Sequence, residues 1–214
     1  MSTNNVVNYG WETDGAPQSC EYIAPFVVGL IDQYQPQRIL DMGSGNGRLC
    51  GLIAQSHRYI CGMEYDAAGV ELARQAYPSI NFYHYGVQDN PALLLEQENR
   101  EHFDLVVSTE VIEHLYSPQL LAQYAHSVLA ENGKLIITTP YHGYLKNLAL
   151  SVFDKWDHHH TALWEGGHIK FWSIKTLSTL LEAQGFKVIK ATGVGRIPYL
   201  WKSMVVIAEK QPVT

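Results

Sequence analysis

A turn with three glycines at alternate positions is the feature that most constrains the fold of this chain. Gly43, Gly45 and Gly47 follow the apolar run 38–42, and a helical pattern spans 47–55. Glycine allows the backbone to turn tightly and to approach a ligand closely, and the N-terminus of the following helix offers free N–H groups. A strand, such a turn and a helix in this order predict a ligand site at the edge of an open α/β sheet.

Short apolar runs alternate with helical patterns through the rest of the sequence, which is typical of a parallel sheet. The predicted strands are 38–42, 59–64, 81–85, 103–108, 133–139, 187–191 and 204–209. The predicted helices are 19–33, 47–55, 67–76, 91–100, 119–130 and 173–184. Because only the loop 193–202 separates the last two strands, we expect them to pair antiparallel. The sequence therefore predicts an α/β fold with a Rossmann-like, doubly wound, seven-stranded sheet that is mostly parallel and ends in an antiparallel hairpin.

Composition narrows the classes of protein and partner. The 15 Lys and Arg residues against 21 Asp and Glu give a net charge of −6, which argues against binding to long nucleic acid, because such binding normally uses a basic surface. The three cysteines include no CxxC pair, so neither a disulfide framework nor a Cys-rich zinc site is expected. The longest early apolar stretch, 23–31, is too short to span a bilayer. We therefore expect one domain, 1–214, in the cytoplasm, with no transmembrane segment and no stable nucleic acid partner.

An acidic residue, Glu64, ends the second predicted strand. A carboxylate about 20 residues beyond the glycine turn can accept hydrogen bonds from both hydroxyls of a ribose. A dinucleotide-binding turn would carry its third glycine at position 48, where this chain has Arg48, so a nicotinamide oxidoreductase is disfavoured. The alternative is a glycine-rich turn followed by an incidental acid.

The D-x-G-x-G-x-G sequence that starts at Asp41, the acid at the end of strand two and the terminal hairpin resemble those of the class I S-adenosylmethionine-dependent methyltransferases. The resemblance covers 38–209 and implies S-adenosylmethionine as the cofactor, with S-adenosylhomocysteine as its product. It implies cofactor contacts from residues at or just after the ends of the first four strands, namely Asp41, Gly43, Ser44, Gly45, Gly47, Glu64, Tyr65, Val87, Gln88, Asp89 and Glu110. It assigns the adenine amino group to Asp89, whose alternative role is to cap the helix that begins at Pro91.

The sequence Glu-Val-Ile-Glu-His follows the fourth predicted strand and carries candidate metal ligands. In a helix, Glu110, Glu113 and His114 would point to one side, and two carboxylates with an imidazole suit Mg²⁺, Mn²⁺ or Zn²⁺. The run resembles that of the ubiquinone-biosynthesis O-methyltransferases and that of the small-RNA 3′-end 2′-O-methyltransferases, which bind a metal with the help of a later histidine. The matching histidine here is His168. We therefore predict a metal site at these four residues, with Glu113 and His114 in catalytic roles; the alternative is that both only pack the loop.

An insertion rich in histidine and aromatic residues, 141–172, lies after the fifth predicted strand and contains a helical pattern at 145–153. In an open α/β sheet this position faces the ligand, so we expect the insertion to border the acceptor. His142 follows the strand directly and is predicted to act as a general base on a hydroxyl. The consecutive histidines 158–160 cannot converge on one ion, and at most one or two of them are expected to be functional.

Two further segments are expected to border the same site. The resemblance implies that the N-terminal segment 1–18, with Tyr9 and Trp11, folds over the cofactor as a lid. The loop 196–202 is unusually apolar for the tip of a hairpin. It could line the acceptor pocket, touch a membrane that carries a lipid substrate, or pack in a homodimer, and the sequence does not separate these three readings.

These features together predict an enzyme that transfers a methyl group from S-adenosylmethionine to a small molecule. The expected reaction is O-methylation of a catechol- or quinol-like hydroxyl on an aromatic or lipidic acceptor. A bound Mg²⁺ or Zn²⁺ would favour the ionised hydroxyl, and His142 would act as the base in its absence. Two alternatives stay open: an RNA 3′-end 2′-O-methyltransferase, which shares the Glu-x-x-Glu-His element, and a protein that binds S-adenosylmethionine without catalysis.

Overall fold

The structure, a computed structural model, describes residues 20–54, 58–160, 163 and 167–212. The predicted N-terminal lid and the side chain of His158 lie outside the described residues. Within this part of the chain the strands are β1 (Arg38–Met42), β2 (Tyr59–Glu64), β3 (Asn81–His84), β4 (Phe103–Thr109), β5 (Leu129–Pro140), β6 (Phe186–Val194) and β7 (Ser203–Lys210). The α-helices are α1 (Cys20–Tyr34), α2 (Arg48–Ala54), α3 (Ala67–Ala76), α4 (Pro91–Gln97), α5 (Gln119–Val128), α6 (Tyr144–Val152), α7 (Trp156–His160) and α8 (Ile174–Ala183), and Ile112–His114 forms a 3₁₀-helix.

The seven described strands form one sheet in the order β3-β2-β1-β4-β5-β7-β6. Strand β7 runs antiparallel to both of its neighbours, and the other pairs are parallel. This confirms the predicted α/β fold with its antiparallel terminal hairpin. The direction of strand order reverses between β1 and β4, and ligands of open α/β sheets bind at such a switch point, beyond the carboxyl ends of the strands.

The sheet is buried on both faces, which explains why its strands read as continuous apolar runs. Because successive residues of a strand point to opposite faces, Val106 packs in one core with Leu40, whereas its neighbours Leu105 and Val107 pack in the other with Ile39. Helices α4, α5 and α8 cover the first face, and helices α1, α2 and α3 cover the second. Both layers therefore hold the carboxyl ends of β1 and β4 in fixed positions.

Element boundaries differ from the predictions where strands extend through pairing. The predicted helix 119–130 ends earlier, because Leu129 begins β5 by pairing with Phe103. The strand predicted at 187–191 is longer, since β6 pairs with β7 over its whole length. In the insertion, the helix predicted at 145–153 is present as α6. None of the described helices is long and apolar enough to cross a membrane.

Candidate functional site

A cleft of about 1710 Å³ opens at the carboxyl edge of the sheet, over the switch point between β1 and β4. One part of its wall, here called the turn half, comes from residues within 41–46, 63–65 and 85–88. The other part, the insertion half, comes from residues within 146–168 and 196–203. Residues that follow β4 and residues of α1 also line the cleft, which therefore joins the two regions that the sequence singled out.

The glycine turn after β1 adopts a backbone that other residues avoid. Gly43, Gly45 and Gly47 have φ angles of 85°, 52° and 77°, which lie in the left-handed region. A Cβ on Gly43 would lie 2.4 Å from a methyl group of Val111, and one on Gly47 would lie 2.7 Å from the ring of Phe82. The turn therefore requires glycine for both conformation and space, which explains the alternate spacing in the sequence.

Glu64 lies at the end of β2, lines the cleft and has its carboxylate fixed by the backbone. Its Oε2 accepts a hydrogen bond from Gly45 N at 2.8 Å, and its Oε1 accepts one from Asp66 N at 2.8 Å. Burial raises the pKa of Glu64, while these backbone N–H groups lower it. Tyr65 follows with an exposed side chain that also lines the cleft. The carboxylate is thus held in one position at the wall of the cleft, and its contact with a ribose stays a prediction.

Two buried polar atoms beside the glycine turn have no hydrogen-bond partner among the described residues. They are Asp41 Oδ1 and Ser44 Oγ, and both residues line the cleft. The other carboxylate oxygen of Asp41 accepts a hydrogen bond from the Cys50 thiol at 3.3 Å. Burial raises the pKa of Asp41 to about 7. Buried polar groups are normally satisfied, so these atoms fit a polar ligand in the turn half.

The loop after β3 only partly matches its predicted role. Val87 and Gln88 line the cleft, whereas Asp89 does not. The Oδ2 atom of Asp89 accepts a hydrogen bond from Gly86 N at 2.7 Å and closes the turn. The alternative, that Asp89 caps α4, is wrong, because the side chain of Asn90 accepts from the helix backbone instead. The adenine contact of Asp89 stays a prediction.

The expectation that one helix carries Glu110, Glu113 and His114 is wrong. Glu110 has a φ of 54°, and its N–H donates to Thr138 O at 3.0 Å, which continues the ladder between β4 and β5. The 3₁₀-helix begins only at Ile112. Because the backbone of Glu110 is committed to the sheet, its side chain leaves in a different direction from those of the next two candidate ligands.

Glu110 lines the cleft and is held by two hydroxyl groups. Its Oε1 accepts a hydrogen bond from Thr138 Oγ1 at 2.9 Å, and its Oε2 accepts one from Ser203 Oγ at 3.1 Å. Burial raises the pKa of Glu110 to about 7, against the effect of these two hydroxyls and of the Lys146 ammonium. Glu110 therefore lies between the strand ends and the insertion half, with both carboxylate oxygens directed by the protein.

The other three candidate ligands come together. One ligand atom from each of Glu113, His114 and His168 lies within 4.8 Å of the others. Glu113 is 1% exposed, and its Oε2 accepts a hydrogen bond from Thr139 Oγ1 at 3.0 Å. Its Oε1 has no hydrogen-bond partner among the described residues and lies 4.0 Å from His168 Nε2. The structure thus supports three of the four predicted ligands as a group, and Glu110 is not part of it.

Backbone contacts bring His168 to this group across more than fifty residues of sequence. Ile169 N and Lys170 N both donate to Glu113 O, at 2.9 and 3.0 Å, and His114 Nδ1 lies 3.3 Å from Gly167 O. Burial raises the pKa of Glu113 well above its usual range, and the charge of Glu110 adds to this effect. Such a carboxyl group would be ionised by a neighbouring cation.

His142 does not line the cleft, in contrast to the role predicted for it. Its ring packs against His159, His160 and Phe171, with ring centroids 5.9, 5.6 and 5.1 Å away. Burial lowers the pKa of His142 to about 4, so its imidazole is neutral at pH 7. Of this cluster, His159 lines the cleft. The histidine of this cluster that lines the cleft is thus His159, which lies on α7 and not directly after β5.

A buried lysine of the insertion half, Lys146, was missed by sequence reasoning. It lies on α6 and is 5% exposed, and its Nζ donates to Lys202 O at 3.3 Å. Burial lowers its pKa to about 8. The one available signal was a lysine within the mostly apolar helical run YLKNLALSV, but a helical pattern does not reveal which neighbour the lysine contacts.

Apolar side chains surround the mouth of the insertion half. Leu150, Phe153, Ile197 and Leu200 line the cleft, and Phe153 and Ile197 are about 70% exposed. The sequence left three roles open for the apolar hairpin tip: lining a pocket, touching a membrane and packing in a homodimer. The structure bears on the first of these roles, because the tip lines the cleft. Exposed apolar surface at a cleft mouth is typical of a binding site.

The sheet order, the glycine turn and the fixed carboxylate of Glu64 define a class I S-adenosylmethionine-dependent methyltransferase. Comparison with known families agrees, since a family model described as a methyltransferase domain matches residues 20–191, and the chain belongs to this family.

Individual relatives are more distant. A mitochondrial ubiquinone biosynthesis O-methyltransferase of Rattus norvegicus is 29% identical over 168 residues, which are 76% of this chain and 48% of that protein. A ubiquinone biosynthesis O-methyltransferase of Ruegeria sp. is 27% identical over 202 residues, which are 87% of this chain and 77% of that protein. The chain thus spans about half the length of the rat protein.

Among solved structures, a magnesium protoporphyrin IX methyltransferase of Synechocystis with bound S-adenosylhomocysteine has a TM-score of 0.63 at 17% identity. The match covers 88% of this chain and 82% of that one. At this identity the comparison shows the fold alone.

Proposed function

We propose that this methyltransferase O-methylates a hydroxyl group on a small catechol- or quinol-like acceptor. The ubiquinone biosynthesis O-methyltransferases of rat and Ruegeria support the acceptor class, although they are only 29% and 27% identical to the chain. The observation that carries the proposal is the group of Glu113, His114 and His168 beside the cleft, because a carboxylate and two imidazoles suit a cation that binds a hydroxyl.

The turn half is the proposed site of S-adenosylmethionine. The unpartnered Asp41 Oδ1 and Ser44 Oγ fit a polar ligand that lies close to the backbone of the glycine turn. Glu64 would accept from the ribose hydroxyls, and Val87 and Gln88 would border the adenine. When bound, S-adenosylmethionine supplies a methyl group on a positively charged sulfur, which is a good leaving group.

The metal site is the finer part of the proposal. We assign Mg²⁺ or Zn²⁺ to Glu113, His114 and His168, with Glu110 outside the ligand set. The unpartnered Glu113 Oε1 is the donor atom that fits a cation best. A cation there would lower the pKa of a bound hydroxyl. The residues of the chain would position this hydroxyl and so supply the alignment that a displacement needs.

Methyl transfer forms an oxygen–carbon bond and breaks the carbon–sulfur bond, whose electron pair stays on sulfur. The hydroxyl proton must leave, and we assign its acceptance to His159 in place of His142. His159 lines the cleft, and burial lowers its pKa to about 4, so its ring is neutral at pH 7. The apolar side chains at the mouth would limit access of water to the reaction.

RNA 3′-end 2′-O-methylation is the alternative reaction, because the enzymes that catalyse it share the Glu-x-x-Glu-His element. The apolar mouth, with Phe153 and Ile197, favours an aromatic or lipidic small molecule over a ribose-phosphate chain. A homodimer through the same apolar surface, and a cytoplasmic location, stay predictions.

The experiment measures methyl transfer from labelled S-adenosylmethionine to catechol, to a quinol and to a short RNA 3′ end, each with and without EDTA. We expect transfer to the catechol or quinol that EDTA abolishes and added Mg²⁺ or Zn²⁺ restores. We expect Glu113→Gln to lose this transfer and Glu71→Gln, which changes an exposed carboxylate on α3, to keep it. Transfer that is insensitive to EDTA would remove the metal, transfer to RNA alone would favour the RNA reading, and binding without any transfer would favour a protein without catalysis.

A further inference from the structure

The insertion half carries a concentration of positive charge that the acceptor class alone does not explain. Its cationic lining residues are Lys146, Lys155, Arg196 and Lys202. The carboxylates that line the cleft belong to the ends of β1, β2 and β4, and they are Asp41, Glu64 and Glu110. The chain as a whole has a net charge of −6, so this part of the cleft differs in sign from the rest of the molecule.

Lys146 is the most buried of these four cations, and no carboxylate of the described residues forms an ion pair with it. Its Nζ donates to a backbone carbonyl, Lys202 O, at 3.3 Å, and it forms no ion pair among the described residues. A buried ammonium group is costly unless an opposite charge compensates it. Arg196 lies near enough for its charge to lower the pKa of Lys146 further. Two cations that line the same cleft fit a ligand with negative charge.

Glu110 does not take the place of that ligand. Its charge favours the protonated form of Lys146, but its two carboxylate oxygens accept hydrogen bonds from Thr138 and Ser203. The distance between Glu110 and Lys146 is too long for an ion pair by the usual limit of about 4 Å. Among the described residues, no carboxylate therefore forms an ion pair with Lys146 or Arg196.

The position of Lys146 places this charge on the acceptor side of the cleft. Lys146 lies on α6 within the insertion 141–172, and its Nζ donates to Lys202 O beside the hairpin tip. The unpartnered polar atoms of Asp41 and Ser44 lie in the turn half instead. A negative group on Lys146 would therefore belong to the molecule that occupies the insertion half.

We propose that the acceptor carries a carboxylate or phosphate group, which pairs with Lys146 and is also held by Arg196. The inference rests on the proposed function for the identity of that molecule as a methyl acceptor. Lys146 supplies a single buried charge, and Arg196 supplies a planar donor group that suits both kinds of anion. The apolar side chains at the mouth would then contact the rest of the acceptor.

The test measures binding to protein that is saturated with S-adenosylhomocysteine, by calorimetry. The ligands are 3,4-dihydroxybenzoate, its neutral methyl ester, and catechol, with phenyl phosphate as a competitor that represents the phosphate source. We expect the wild-type protein to bind the benzoate about 10- to 100-fold more tightly than the ester, as one charge-assisted contact allows. If phenyl phosphate binds more tightly than 3,4-dihydroxybenzoate, the site is assigned to phosphate. If it binds more weakly, the site is assigned to carboxylate.

Lys146→Met should remove this preference, and Arg196→Gln should reduce it. Lys187→Met, which removes an exposed lysine of β6, is the matched control and should keep it. Lys146→Arg retains the charge and should retain a preference for the acid, which guards against an effect of misfolding. Affinity for S-adenosylhomocysteine, measured on each variant, should not change.

Two results would overturn the inference. One is equal affinity of the wild-type protein for the acid and its ester. The other is a loss of S-adenosylhomocysteine affinity in Lys146→Met with the preference intact, because the lysine would then bind the cofactor carboxylate. Failure of the proposed function can be distinguished from failure of this inference. Tighter binding of the acid without any methyl transfer would support the anion site and contradict the O-methylation. Equal methyl transfer to the acid and to the ester would support the O-methylation and contradict the anion site.

Discussion

The turn half and the insertion half of the cleft are built by different means. In the turn half, the backbone determines the shape of the wall. Three glycines have positive φ, and two backbone N–H groups donate to the carboxylate of Glu64. In the insertion half, side chains from distant parts of the chain meet, such as Lys146 with the carbonyl of Lys202 and Glu113 with His168. A site made of backbone geometry suits a constant ligand, whereas a site made of side chains from loops can change with the acceptor.

Among substitutions that test the difference between the two halves, the largest effect on binding and stability is expected at Gly43. Gly43→Val introduces a Cβ 2.4 Å from Val111 at a φ of 85°, and we expect it to abolish S-adenosylhomocysteine binding and to lower the free energy of unfolding by about 2–4 kcal/mol. The control is Gly29→Ala on α1, where a Cβ meets no atom within 4 Å and stability should rise by about 0.5–1 kcal/mol. Calorimetry and urea unfolding provide both values. Normal binding by Gly43→Val would contradict the role of backbone shape.

The pH dependence of stability provides the next test of the turn half. Burial raises the pKa of Asp41 from 3.8 to about 7, so between these values the folded chain holds a proton that the unfolded chain has released. The free energy of unfolding of the ligand-free protein should therefore fall as the pH rises from about 4 to about 7. Asp41→Asn should remove about 1–3 kcal/mol of this decline. An unchanged pH profile in urea unfolding would show that Asp41 is not the buried acid.

Glu64 is expected to have a smaller effect, confined to the cofactor. Glu64→Gln keeps the shape of the side chain but removes its charge, and it should weaken S-adenosylhomocysteine binding about 10- to 100-fold. Binding of a catechol acid in the insertion half should stay as it is. Glu71→Gln serves as the control, because that carboxylate is exposed and accepts a hydrogen bond from the exposed side chain of Gln75 within α3. Equal loss of both ligands would mean that the two halves are not separate.

The smallest expected effect concerns the position of Glu110. Ser203→Ala removes a donor that lies 3.1 Å from Glu110 Oε2, and we expect kcat/KM to fall about 2- to 10-fold, as for one net hydrogen bond. Ser127→Ala removes a comparable hydroxyl on the exposed side of α5, where it bonds Gln123 O, and should not change kcat/KM. A fall of the same size in both variants would point to a general loss of stability.

The two halves also differ in how far the sequence predicts them. The bounds of β1, β2 and α3 agree with the predictions, because apolar periodicity and the turn residues act locally. Asp66 caps α3 through its side chain, which is again a local signal. The residues of the turn half follow directly from these strands, and so their positions could be predicted.

The insertion half depends on contacts that periodicity does not contain. Glu110 does not share a helix with Glu113 and His114, because its N–H pairs with Thr138 in β5. Lys146 points to Lys202, 56 residues further along the chain, and His142 turns toward Phe171 instead of the cleft. Each of these outcomes is decided by tertiary packing. His168 was predicted only because the resemblance to known methyltransferases supplied the pairing.

The most direct test of the division between the two halves is a pair of measurements on Glu113→Gln. Methyl transfer from labelled S-adenosylmethionine to a catechol and the affinity for S-adenosylhomocysteine are determined on the same preparation. We expect transfer to be lost and the affinity to equal that of the wild-type protein, since Glu113 lies outside the turn half. Transfer at the wild-type rate, or a matching loss of S-adenosylhomocysteine affinity, would contradict a separate acceptor site built on Glu113, His114 and His168.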